Sequence, residues 1–238
     1  MEVVIKSNID QVVKGLSRIQ RKQIPFATSV AINDTAFGLQ KEIKRQMPQK
    51  LDRPTPWTVS GVLVRKSKKT DLEAFVYMAG ARGLPKESAD RNQYIKYQVN
   101  GGTRHPKKTK IPVPTKNLKL NKYGNMPKGK VKSLLAKRDV FVGKVKGIDG
   151  IWQRGHYNQG GTFNTSSGRG SAIRLLVAFE NNANYTPRLP YGRISEGYTK
   201  HKFEPNFRRA LAKALASARS EGGDYMRPMT KRQVLRRM

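Results

Sequence analysis

Between Asp90 and Asp139 the chain carries no carboxylate, yet Arg104, Lys107, Lys108, Lys110, Lys116, Lys119, Lys122, Lys128, Lys130, Lys132, Lys137 and Arg138 all fall in that interval. A second acid-free run follows Asp224 and holds Arg227, Lys231, Arg232, Arg236 and Arg237. Over the whole chain 48 Lys and Arg face 16 Asp and Glu, a formal net charge of +32 on 238 residues. Self-repulsion of that size opposes compaction unless counterions or an anionic partner offset it. Leu, Ile, Val and Phe supply about 22 % of the residues, just above the range of disordered chains. The composition allows a core, but a thin one, and some segments are expected to order only against neighbours. DNA or RNA is the expected class of partner, because neutralised phosphates release condensed counterions. The bland alternative is a solvated basic surface without a specific partner.

The chain has no cysteine, so neither disulfides nor thiolate metal sites staple it. No apolar run approaches the ~20 residues of a membrane span. Met1 to Lys6 is too short an apolar start for a signal peptide. The expectation is a protein made in the cytoplasm, with no membrane partner.

Residues 2 to 6 read as a strand, and Ile9, Val12, Val13, Leu16 and Ile19 follow helical spacing, with Asn8 or Asp10 as N-cap. Pro25 suits the first turn of a second helix, Pro25 to Met47, whose stripe is Ile32, Ala36, Leu39, Ile43 and Met47. Arg53 to Trp57, with two prolines, reads as a rigid extended connector. Val59 to Arg65 and Leu72 to Met78 read as a hairpin. Gly80 to Lys132, poor in large aliphatics and rich in Gly, Pro and Lys, reads as an extended arm with one short helix near Arg91 to Val99. Strands are expected at Val140 to Val145, at Ile151-Trp152 and at Ile173 to Phe179, the last two separated by a Gly/Ser-rich loop. Pro187 and Pro190 bracket a turn, a short helix spans Ile194 to Phe203, and a longer one spans Pro205 to Arg219.

The fold class that follows is α+β, a small mixed or antiparallel sheet packed with two or three helices and carrying a long basic arm or insertion. Its parts are 1–79 and 139–220 as two portions of one body, 80–138 as the arm, and 221–238 as a basic tail. Trp57 and Trp152 are read as packing anchors in short connectors, where rigid aromatics fix chain direction or fill a neighbour's pocket.

No catalytic constellation emerges. Metal-dependent nucleases need clustered carboxylates, and the nearest pairs, Asp71 with Glu73 and Glu87 with Asp90, lack a third partner. His105, His156 and His201 are far apart in sequence and read as surface residues. The glycines from Gly160 to Gly170 are followed by no Gly-Lys-Ser/Thr, so they are not a phosphate loop. Neither cofactor, metal nor catalysis is expected. The aromatics, Tyr97, Tyr157 and Tyr185 among them, raise base stacking as an option, but core and interface packing accounts for them better.

Several local patterns occur in a definite order. Ile24-Pro25-Phe26-Ala27 leads to Ala31-Ile32-Asn33-Asp34-Thr35-Ala36, and Asp52-Arg53-Pro54-Thr55-Pro56-Trp57-Thr58 follows. Next come Gly101-Gly102-Thr103-Arg104, then Tyr123-Gly124-Asn125-Met126 with Lys128-Gly129-Lys130. Gly150-Ile151-Trp152-Gln153-Arg154, Leu175-Leu176-Val177-Ala178-Phe179 and Phe203-Glu204-Pro205-Asn206-Phe207 complete the series. In this order the set resembles a family of tailed-phage and prophage virion proteins, the tail-completion proteins of the minor tail protein Z kind and the broader head–tail joining class. The resemblance covers most of residues 24 to 220. It implies a structural virion protein of the neck or upper tail, a homo-oligomeric ring, and connector or tail-tube proteins as neighbours. Genome DNA would be met through non-specific phosphate contact. Lys107, Lys108, Lys110, Lys116, Lys119, Lys122, Lys128, Lys130 and Lys132 would then face DNA or an adjacent subunit. The competing readings are a free RNA- or DNA-binding protein and, less favoured, a small basic nuclease or toxin.

Overall fold

A computed structural model describes residues 2–6, 18–80, 92–106, 110–158, 160–165 and 172–224. The elements in chain order are β1 (Glu2–Lys6), α1 (Arg18–Lys50), α2 (Pro56–Ser60), β2 (Val62–Arg65), β3 (Glu73–Met78), α3 (Asn92–Asn100), β4 (Gly102–Arg104) and β5 (Ile111–Pro114), followed by α4 (Lys130–Leu135), β6 (Val140–Val145), β7 (Ile148–Tyr157), β8 (Phe163–Asn164), β9 (Ala172–Glu180), β10 (Ala183–Tyr185) and α5 (Tyr191–Asp224). The class is α+β with antiparallel sheets. Two compact units divide the chain: residues 1–49, 56–93 and 190–238 form one, and residues 50–55 and 94–189 the other.

In the first unit the expected hairpin forms the sheet β1-β3-β2, all antiparallel. The stripe Ile32, Ala36, Leu39, Ile43 and Met47 is wholly buried. A second face of α1 carries small residues: Ala27 and Ala31 cluster with Ala210 and Ala214 of α5, beside Phe203, Phe207 and Leu211. Small side chains let the two helix backbones approach closely, and at Gly38 a methyl group would fall against the Tyr198 hydroxyl. Asn206 Nδ2 donates to Thr35 Oγ1 at 3.0 Å across the same seam. Side chains also bind α1 to the hairpin, with Asn33 accepting from the Ser67 amide at 2.8 Å and donating to the Ser67 carbonyl at 3.2 Å.

Two local expectations are corrected in this unit. The Pro56–Trp57 connector is instead the start of α2, because proline at the first helical position loses no hydrogen bond. The reversal before it is made by Arg53 in the left-handed region, φ 44°. The two helices expected on either side of Pro205 are one, α5, with Pro205 inside it. An interior proline costs about 3 kcal/mol. Phe203 and Phe207 stack at 6.1 Å across the proline and share the apolar cluster with α1, which holds both halves on one course.

The second unit is built on the antiparallel sheet β5-β9-β7-β6, with β8 added on β7 and a separate β4–β10 pair. Its core joins Leu118, Leu134, Val140, Ile151, Leu176 and Val177. Trp152 lies within β7, not in a connector, is 7 % exposed, and donates from Nε1 to the Gly143 carbonyl at 3.1 Å. Trp57, in contrast, is 41 % exposed. Within the stretch expected as a basic arm or insertion, 80–138, the described residues take part in the second unit's sheet and core. β5 is bonded along β9, and Leu118 and Leu134 are core residues. Residues 139–189 cluster with 94–138 and 50–55 and not with 1–49 or 56–79. The helix expected over Ile9 to Ile19 falls largely outside the described residues, as do residues 81–91, most of the Gly/Ser-rich loop and the tail beyond Asp224.

Gly150 shows why a glycine sits in the middle of this sheet. A Cβ there would fall against the Val177 carbonyl oxygen and stand 2.6 Å from a Leu175 methyl. Backbone atoms of β9 cannot yield as a flexible side chain does. Gly150→Ala is expected to destabilise the second unit by about 1–3 kcal/mol, the usual cost of overpacking. A thermal melt unchanged by that substitution would show that β7 can move away from β9.

Candidate polyanion interface

The chain leaves β5 through a turn fastened to β9. The Thr115 amide donates to the Leu176 carbonyl at 3.0 Å, and its hydroxyl donates to the Leu175 carbonyl at 2.7 Å. Asn117 Nδ2 adds a third bond, to the Leu175 carbonyl at 2.9 Å. This anchor drives Leu118 into the core, and Leu120, Met126 and Val131 follow, each half-buried against the same cluster. Between these apolar residues stand Lys116, Lys119, Lys122, Lys128 and Lys132, all exposed, and Lys130, half-buried.

The turn that carries Lys122 is shaped by Asn121, whose Oδ1 accepts the amides of Tyr123 and Asn125, both at 3.0 Å. Gly124 takes φ 73° there, a conformation that suits glycine, and its amide closes on the Asn121 carbonyl. Lys122 Nζ lies 5.1 Å from the Tyr123 ring centroid. The result is a sequential row of ammonium groups along a braced loop and the start of a short helix, with the apolar residues between them packed on the core. From Lys110 to Arg138 there are nine Lys and Arg and no carboxylate.

Carboxylates near this row are few and engaged. Lys110 Nζ pairs with Asp149 Oδ2 at 2.5 Å, and that contact holds the Asp149 carboxyl below its usual range. Asp139 Oδ2 accepts from Gln153 Nε2 at 2.6 Å, and Gln153 Oε1 in turn accepts two bonds from Arg174. Asp52 is bound by its neighbour Arg53, which lowers its pKa. Among the described residues, no ion pair joins Lys116, Lys119, Lys122, Lys128, Lys130 or Lys132 to any acid. Of the sequence-predicted positions, Lys107 and Lys108 lie outside the described residues. Lys110 stands apart from the others because its ammonium already has a carboxylate.

A cavity of about 430 Å³ opens beside that ion pair, lined by Pro112, Val131, Val142 and Phe179, with Gly143 and Gly150 between them. Its polar lining is the Lys110–Asp149 pair itself. Among the described residues, no group of three or more His, Asp or Glu is placed to hold a metal ion. Some of the aromatic side chains pair with one another: Tyr97 stacks on Tyr185 at 5.4 Å, and Tyr157 meets Phe163 edge-on at 5.2 Å. Sequence reasoning placed the lysines but missed the residues that aim them, Thr115, Asn117 and Asn121. The Asn-Lys-Tyr-Gly-Asn run was the available signal, since Asn and Gly together mark turns.

If the row is displayed by a core, its two kinds of residue should behave differently on mutation. Leu118→Ala is expected to lower stability by about 2–5 kcal/mol, whereas Lys119→Gln should change it by less than about 0.5 kcal/mol. Denaturant titration of both variants checks this, and equal, negligible effects would return the segment to a loose arm. Comparison with protein-family models, curated proteins and solved structures finds no match for the chain.

Proposed function

We propose that this chain is a structural protein of a tailed-phage virion, forming a neck or tail-completion ring that joins head and tail around the DNA channel. It catalyses nothing and needs no cofactor. The observation that carries the reading is the braced row Lys116, Lys119, Lys122, Lys128 and Lys132, exposed and unpaired with acids among the described residues. The ordered series of local motifs supports the virion assignment. A row of point charges without bidentate geometry suits phosphates of any sequence, since such contacts position without specifying. Lys128 precedes the αL residue Gly129 (φ 78°) that caps α4, and Lys132 lies within α4, so the last charges are held on a turn and a short helix.

Replacing these five lysines with Gln in the full-length chain should weaken binding to duplex DNA of any sequence. The log–log salt dependence should become shallower by about 0.9 for each phosphate no longer neutralised, roughly 4–5 in all. Virions of the parent phage should contain the protein by mass spectrometry, and its deletion should leave filled heads and unattached tails. Absence from virions, with tight DNA binding by a lone monomer, would favour the free nucleic-acid-binding protein instead. Unchanged DNA affinity with failed head–tail joining would turn the row toward acidic faces of neighbouring subunits.

A further inference from the structure

Between β2 and β3 the chain reverses through Lys66 to Leu72, and this turn is pinned to α1. The Lys68 amide donates to the Asp71 carbonyl at 2.8 Å, and the Asp71 amide returns a bond to the Lys68 carbonyl at 3.1 Å. Ser67 beside that reversal is buried. Its hydroxyl donates to the Ser29 carbonyl at 3.1 Å and lies 3.0 Å from the Ser29 hydroxyl. Asn33 holds both the amide and the carbonyl of Ser67. Phe26, Ser29, Asn33 and Phe37 fall on one face of α1, at i, i+3, i+7 and i+11. The turn is therefore fastened to the middle of a helical face that has an aromatic ring at each end.

Four of the five residues from Arg65 to Lys69 are cations, and all four are exposed. Lys69 Nζ stands 5.0 Å from the Phe26 ring centroid and Lys66 Nζ 5.5 Å from that of Phe37. The Arg65 guanidinium lies 3.9 Å over the ring of Phe75, its cross-strand partner. A ring face attracts a cation without neutralising it. Among the described residues none of the four is in an ion pair. The nearby carboxylates are Asp71, exposed at the end of the turn, Glu73, half-buried on β3, and Asp34 of α1, which Arg209 engages at 3.5 Å. The turn thus keeps a positive balance, and its charges are held by a buried serine and three rings as well as by the backbone.

We propose that the Arg65–Lys69 turn is a second phosphate-contacting surface, in the unit that does not carry the lysine row, and that it takes the backbone of duplex DNA. Charges already held in place lose less freedom on binding than a loose run would. Duplex DNA presents one charge per about 1.7 Å of axis, so cations clustered in a single turn meet phosphates without needing a matched protein surface. Phe26 is 39 % exposed, but Lys69 stands over its ring, so the site is suited to phosphates and not to stacking on bases. The inference rests on the phosphate-facing reading above for the choice of duplex DNA, whereas its residues and its variants are separate from those of the row.

The test is binding of the full-length protein to a mixed-sequence duplex, followed by fluorescence anisotropy across a salt series. Lys66→Gln, Lys68→Gln and Lys69→Gln, made together, leave Ser67, Asn33 and Arg65 in place. At about 0.15 M salt this triple variant should bind about tenfold more weakly or worse, and its log–log salt slope should be shallower by about 0.9 per phosphate lost, roughly 2–3 in all. A control losing the same charge elsewhere, Lys200→Gln, Lys202→Gln and Lys213→Gln, all exposed on α5, should change the slope by less than about one. The five-lysine row variant, measured beside these, separates the two readings. Weakening in the turn variant alone upholds this inference and removes the row, and weakening in the row variant alone does the reverse. Losses equal to those of the α5 control, or a parent chain without affinity for the duplex, would also overturn the proposal. So would lost binding to phosphatidylserine vesicles with DNA affinity unchanged, which would assign the turn to a lipid surface.

Discussion

The second unit depends on a contest between apolar burial and like-charge repulsion within one stretch of chain. Residues 116 to 132 put ammonium groups and core side chains in close alternation, so neither can be satisfied alone. Two unit charges about 10 Å apart in water repel by roughly 0.4 kcal/mol, and physiological salt reduces that further. Burying one Leu contributes about 1.5–3 kcal/mol. Leu118 and Leu134, with Leu120, Met126 and Val131 behind them, therefore outweigh several neighbouring lysine pairs. Thr115 and Asn117 set the direction in which that contest is resolved, by fastening the segment to the Leu175 and Leu176 carbonyls of β9. The charge is consequently displayed by the core, not merely tolerated beside it.

In the first unit the corresponding constraint is size. Ala27, Ala31, Ala210 and Ala214 bring α1 and α5 together with little side-chain volume between them. That leaves the larger residues Ile32, Leu39, Ile43 and Met47 for a second buried face. Two buried faces on one helix explain why a chain with few large aliphatics still builds a core. Tyr191 adds a polar tie at the start of α5, donating to the Val76 carbonyl at 2.8 Å, and burial drives its hydroxyl pKa well above the ordinary phenol range. Its proton stays in place across the working pH range, so this tie is independent of pH.

Much of this was legible in the residues. The stripe of α1 follows from its period-3.6 pattern, and the β2–β3 hairpin and β9 follow from β-rich apolar runs. Pro205 misled because local chemistry favours a helix start there, while the stacking of Phe203 and Phe207 across it is tertiary. The core residues within 80–138 were harder to read. Leu118, Leu120 and Met126, with Val131 and Leu134 of the short α4, are too few to sustain either period, and side-chain bracing by Asn117 and Asn121 leaves no repeat to read. Composition detected the lysines and was silent on what turns them outward. The edge position of β1 was likewise invisible, because edge status depends on strand order, and β3 lies between β1 and β2 despite following both.

Charge also sets the terms on which copies of such a chain can meet. At +32 each, two copies repel at long range, and only short-range, directed contacts or an anionic partner can offset that. Phosphates gathered along the lysine row would lower the repulsion. Self-association and anion binding would then be linked: whatever binds the row favours assembly, and by linkage the assembly binds it more tightly. A subunit of this composition would then stay dispersed when free and gather where a polyanion already is.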